Sequence, residues 1–146
     1  MRRIEWIVLH CSATRCDRVV GPLEIRRMHR ARGYVDWGYH YYVRRDGSVC
    51  PMRVLEQVGA HVKGFNRYSI GICYEGGLDP EGMPADTRTV EQRVALRDLV
   101  NELKVRFEEA RVVGHRDLSP DRNGNGRVEP GEWLKCCPCF DVATEL

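Results

Sequence analysis

Two histidines and one cysteine carry the donors most suited to chemistry. His10 closes an apolar run, Trp6-Ile7-Val8-Leu9, and His115 closes another, Arg111-Val112-Val113-Gly114. Cys137 lies near the far end, in Leu134-Lys135-Cys136-Cys137-Pro138-Cys139. Two imidazoles and a thiolate make the three-ligand set of a catalytic zinc site, with a fourth position open to water. Zinc held this way brings the pKa of water down to about 7 and yields hydroxide at neutral pH. Ligands so far apart have no fixed interval, so spacing alone also admits two loop histidines and a buried thiol. A cysteine hydrolase using Cys11 or Cys137 with His115 is a further reading.

A second metal pattern lies between the last two of these donors. Asp121, Asn123, Asn125, Gly126, Arg127, Val128, Glu129 and Glu132 spell D-x-N-x-N-G-x-V-x-x-x-E. That is the twelve-residue calcium loop: oxygen ligands at positions 1, 3 and 5, a glycine at 6, a backbone carbonyl at 7 (Arg127) and a bidentate Glu at 12. Glu129 at position 9 would act directly or through water, and Glu132-Trp133-Leu134-Lys135 would begin an exiting helix. Calcium there would order the segment that carries Lys135 and Cys137. The same residues also suit a flexible Asn/Gly turn with no ion.

Strands and helices must bring these distant residues together. Ile4 to Leu9 reads as a buried strand delivering His10 at its C-terminal end. Pro22 to Arg32 reads as a helix, with Pro22 in its first turn, Gly33 as its cap, and Leu23, Ile25, Met28 and Ala31 as its apolar face. His29 on that helix reads as a surface or packing residue. Trp37 to Val43 and Arg44 to Val49 read as a hairpin about Asp46-Gly47. Alternation there puts Tyr39, Tyr41 and Val43 on one face, His40 and Tyr42 on the other. Ser69 to Tyr74 reads as another buried strand. Thr87 to Glu109 is the clearest helix, its face marked by Val90, Val94, Leu99, Leu103 and Phe107. Arg111 to His115 is a short strand setting down the second histidine. The fold class is α/β: one domain over residues 1–146, a central mixed β-sheet flanked by helices, with the loop at 121–132 as an insertion.

Bulk properties narrow the partners. At 146 residues the chain can bury a real core in one domain. With 23 basic and 21 acidic residues, its net charge of +2 does not suggest nucleic acid as a main partner. Apolar runs fall short of the ~20 residues of a membrane span. The basic start, Met1-Arg2-Arg3, is followed by too short an apolar stretch for a signal peptide. Synthesis in the cytoplasm is expected, and so is a monomer. Seven cysteines, an odd number, point to reduced thiols with a metal or catalytic role for a few.

The motifs, taken in order, resemble a known family. W-I-V-L-H-C-S-A-T, E-I-R-R-M-H-R-A-R-G, D-W-G-Y-H-Y-Y-V-R-R-D-G-S-V, G-A-H-V-K-G-F-N, S-I-G-I-C-Y-E-G-G, V-V-G-H-R-D-L-S-P and K-C-C-P-C-F-D are similar to the type-2 zinc N-acetylmuramoyl-L-alanine amidases. That group includes phage lysozyme-amidases and peptidoglycan recognition proteins. The resemblance covers nearly the whole chain. It implies zinc ligands at His10, His115 and Cys137, and catalytic residues at Tyr39 and Lys135. It places His61 in a loop lining the substrate cleft. Cys139 stands where the family commonly has a small residue. The implied reaction is hydrolysis of the amide between N-acetylmuramic acid and L-alanine, on the cell wall after release or non-classical export. A non-catalytic muropeptide-binding module is the alternative, against which retention of Cys137, Tyr39 and Lys135 speaks.

Overall fold

The computed structural model describes residues 2–146. Its centre is a five-stranded sheet. Strand β1 (Trp6–Cys11) lies between β5 (Ser69–Tyr74) and β7 (Arg111–Gly114), parallel to both. Next to β5 comes β3 (Tyr41–Val43), also parallel, and β4 (Val49–Pro51) closes the edge antiparallel to β3. A small parallel pair, β2 (Thr14–Arg15) and β6 (Gly77–Leu78), extends the ends of β1 and β5. The α/β class and the mixed sheet are as the sequence pattern implies.

Strand parity sorts the core into two layers. Ile7, Leu9 and Cys11 of β1 meet Ile70, Ile72 and Tyr74 of β5 on one face, covered by helix α2 (Val90–Arg106) and the short α3 (Val142–Glu145). The other face carries Cys73 and Tyr42, packed with Val20 and Ile25 under helix α1 (Pro22–Ala31). Central strands buried on both faces explain why their sequences are almost continuously apolar.

Both helices turn a face that differs from the apolar pattern. On α2 the buried residues are Gln92, Leu96, Leu99, Val100 and Leu103, whereas Val90 and Val94 are exposed. Thr89 caps this helix in a reciprocal capping box with Gln92, which fixes where its first turn begins. Gln92 is buried because its amide has partners: Nε2 donates to Glu75 O (2.9 Å) and Val43 O (3.3 Å). On α1 the buried residues are Ile25 and His29, with Leu23 exposed. The His29 Nδ1 accepts a hydrogen bond from Gly38 N at 2.8 Å, which makes it a packing histidine.

The hairpin starts later than the pattern implies. Only Tyr41–Val43 pairs with Val49–Pro51, around a turn in which Gly47 adopts φ 87°. Tyr39 and His40 precede the strand, so the expected alternation does not reach them. Tyr39 therefore packs with Tyr42 in the layer under α1, not with Tyr41 and Val43.

Candidate metal centre

The register of the parallel strands builds the first half of the site. Leu9 is the partner of Gly114, so the residues that follow, His10 and His115, leave the sheet side by side. Their ring centroids are 4.7 Å apart. His10 is 1% exposed. Burial, then the neighbouring His61, His115 and Lys135, holds its pKa well below the usual imidazole value. His115 is pushed down to about 4 by burial, with Lys135 adding to it. Both rings are thus neutral at pH 7, the form that offers a lone pair to a metal.

The second half comes from the C-terminal segment, which crosses the ends of these strands without regular structure. Its anchors are few. Tyr74 Oη donates to Pro138 O at 2.6 Å, and Arg116 N donates to Cys137 O at 2.9 Å. Pro138 rests on Gly114, where an added Cβ would meet Pro138 Cδ at 2.8 Å. Cys11 N donates to Cys137 Sγ at 3.2 Å, and that sulfur lies 3.9 Å from His10 Nδ1. One ligand atom each from His10, His115 and Cys137 falls within 4.8 Å of the other two, the one such convergent group among the described residues. No fourth side chain of these types joins it. The donor set, two neutral imidazoles and a thiol, fits zinc with a coordination place to spare.

The other expected residues fall around this cluster. The Tyr39 ring lies 5.0 Å from that of His10. Burial first, then the thiols of Cys73, Cys137 and Cys11, raises the Tyr39 pKa well above normal, so the phenol keeps its proton and acts as a donor. Lys135 lines a cleft of about 520 Å³ together with His61, His115, Lys63, Arg116 and Leu134. His61 has a double position. It lines that cleft, and its Nδ1 also lies 2.9 Å from His10 Nε2. His40 is fully buried: its Nδ1 accepts from Gly71 N (3.0 Å) and its Nε2 faces Gln57 O (2.8 Å) and Arg2 Nη2 (3.0 Å).

The loop at 121–132 does not support calcium. Its carboxylates face backbone amides. Asp121 accepts from Gly124 N and Gly126 N at 3.1 and 2.8 Å. Glu132 accepts from Arg122 N, Asn123 N and Glu129 N at 2.5, 3.2 and 3.0 Å. Asn123 and Asn125 receive the amides of Asn125 and Arg127, and Asn125 Nδ2 donates to Glu129. Asp121, Glu129 and Glu132 form no convergent group. The exiting helix is absent too: Pro130–Glu132 makes one 3₁₀ turn and Trp133 is extended. The Leu134 amide goes to Ser119 Oγ (3.1 Å) instead of a carbonyl one turn back.

Two features escaped the sequence. Ser69, at the start of β5, lies 3.1 Å from His61 Nε2. Arg116 stacks over Trp133, 3.8 Å from its ring centroid, and reaches the cleft. Only the first had a signal, the glycine inside the apolar run Ser69-Ile70-Gly71-Ile72, which marks a close approach by another group. That group is the His61 ring: a Cβ on Gly71 would lie 2.6 Å from His61 Cγ.

The chain is similar to several known proteins. The family model described as N-acetylmuramoyl-L-alanine amidase matches residues 1–132. The chain belongs to that family. It is 42% identical over 136 residues to the endolysin of Klebsiella phage KP32, covering 93% of this chain and 81% of the relative. Among solved structures, the N-acetylmuramoyl-L-alanine amidase LysC from Clostridium intestinale URNW superposes with TM-score 0.74 at 26% identity, covering 97% of this chain and 80% of that one. Bumblebee PGRP-SA shares the fold, with TM-score 0.72 at 21% identity over 97% and 79% of the two chains. The family match ends before Lys135 and Cys137, so the loop-borne part of the site rests on the geometry. No helix among the described residues is long and apolar enough to cross a membrane.

Proposed function

We propose that this amidase is a zinc-dependent peptidoglycan hydrolase that cleaves the amide joining N-acetylmuramic acid to L-alanine of the stem peptide. The observation that carries this reading is the convergence of His10, His115 and Cys137 beside a cleft lined by a lysine. When bound, zinc supplies Lewis-acid activation of the carbonyl and of water.

The chain's own residues divide the remaining work. His10 and His115 stay neutral and each offers a ring nitrogen to the space shared with the Cys137 sulfur. Lys135, on the exposed side, brings positive charge to where the scissile carbonyl oxygen turns negative. Tyr39, protonated and packed against His10, donates a hydrogen bond or a proton toward the tetrahedral species or the departing amine. Lys63 and Arg116 give the cleft a cationic lining suited to the carboxylates of a stem peptide. The site of action is the cell wall.

The rival readings meet specific obstacles. A pure muropeptide-binding module has no use for a three-donor cluster poised beside its cleft. A cysteine hydrolase built on Cys11 needs an accessible thiolate, yet that thiol is pushed up chiefly by its contact with Cys137 and is buried; one built on Cys137 with His115 is told apart by keeping its activity under chelation. The test is digestion of purified peptidoglycan followed by mass spectrometry of the products. Free stem peptides beginning with L-alanine are expected, lost on chelation and regained with Zn²⁺. Glycan fragments still carrying their peptides, or activity insensitive to chelators, would overturn the proposal.

A further inference from the structure

We propose that His61 and Ser69 form a positioning relay that fixes the tautomer and the aim of His10. This rests on the metal-centre reading above. Cys137 Sγ faces His10 Nδ1 at 3.9 Å, so Nδ1 is the nitrogen on the donor cluster's side. A ring that offers its Nδ1 lone pair carries its proton on Nε2. That nitrogen has one partner, His61 Nδ1 at 2.9 Å, which must then accept. His61 in turn carries its proton on Nε2, 3.1 Å from Ser69 Oγ. The Ser69 hydroxyl hands its own proton to Asn66 O at 3.5 Å. Every proton in the chain has one consistent place, and the sequence ends on a backbone carbonyl, which can only accept.

The fold holds the relay rigidly. The His61 ring is slotted between two glycines: a Cβ on Gly59 would meet His61 Cδ2 at 2.7 Å, and one on Gly71 would meet Cγ at 2.6 Å. Asn66 Oδ1 accepts from both His61 N (2.9 Å) and Val62 N (2.8 Å), which pins the loop. Ser69 and Gly71 share the face of β5 opposite Ile70 and Ile72, and β5 runs beside β1 in a register that pairs Cys73 with His10. Sheet geometry thus sets the far end of the relay, and the metal side of His10 follows. With both ring nitrogens engaged, His61 acts through His10 and not by binding substrate. Partners of a ligand's second nitrogen typically govern metal affinity by about 10–100-fold.

Zinc affinity, measured by competition with a chromophoric chelator on the full chain, tests this directly. His61→Phe keeps the ring and removes the acceptor; a loss of about 10–100-fold is expected. His61→Asn restores an acceptor near the Nδ1 position and should recover most of that loss. Ser69→Ala should produce a smaller loss in the same direction. The tautomer of His10, read by ¹⁵N NMR on metal-free protein, should be protonated at Nε2 in the parent and mixed in the variants. Unchanged zinc affinity in folded His61→Phe would overturn the relay, as would a parent His10 protonated at Nδ1. If His61→Phe does not fold, Ser69→Ala and the parent tautomer decide. Zinc binding that ignores His115→Ala would instead sink the metal-centre reading, while the metal-free tautomer still judges the relay.

Discussion

The site is made of two unlike halves. His10 and His115 are set down by neighbouring parallel strands whose register leaves them nowhere else to go. Cys137 and Lys135 arrive on a segment that has only two short 3₁₀ turns, His115–Leu118 and Pro130–Glu132, between β7 and α3, and it is tied by a handful of side-chain and turn contacts. Strand-borne donors inherit the stability of the whole core. Loop-borne donors depend on local anchors, each worth about 1 kcal/mol. The first half is therefore expected to survive single changes that dislodge the second.

The sharpest test treats the halves as equals. His10→Ala and Cys137→Ser should each lower the rate of peptidoglycan hydrolysis by about a thousandfold or more, since either change removes a donor from a three-donor set. A variant of either kind retaining near-parent activity would break the shared-centre view.

Acid should weaken the packing beneath the strand-borne half. Burial holds His40, hydrogen-bonded between β5 and the loop at Gln57, down to about 4. The unfolded chain, with an ordinary value near 6.5, binds this proton more readily. The stabilisation is thus fully present above pH ~6.5 and lost as the pH falls through about 4, a change of about 3 kcal/mol. Urea denaturation across this window should show it, and His40→Gln should flatten the slope. A parent whose stability is constant over that range would refute the assignment.

Smaller effects probe where the halves meet. Gly114→Ala pushes a methyl into Pro138 and should cost about 1–3 kcal/mol while weakening zinc binding. Tyr74→Phe removes the bond to Pro138 O and should cost about 1–2 kcal/mol. Zinc affinity should fall in both, because Pro138 follows Cys137, the proposed third donor. Stability loss with intact zinc affinity would mean that Cys137 is held by something else. Least of all, Glu132→Ala should lower the thermal midpoint equally with and without calcium chloride. A midpoint that rises on adding calcium only in the parent would restore an ion to that loop.

How far the sequence could be read follows the same division. Ile4 to Leu9 and Ser69 to Tyr74 were legible because doubly buried strands are continuously apolar, and His10 and His115 followed as the residues just past the ends of Leu9 and Gly114. Gln92 was not, since a polar residue enters a core only where backbone carbonyls await it, and those belong to other strands. Tyr39 was misplaced because alternation holds only while the chain is extended. Cys137 and Lys135 were found through the family motif, not through spacing. The carboxylate pattern from Asp121 to Glu132 suggested an ion, for which no convergent group of carboxylates among the described residues gives support. The bond from His61 to His10 spans 51 positions and leaves no periodic trace.

His10 and Cys137 are separated by 127 positions along the chain. A nascent chain therefore carries an incomplete set of donors until synthesis has passed residue 137. Products ended before that residue would lack the third donor and are expected to leave peptidoglycan uncut.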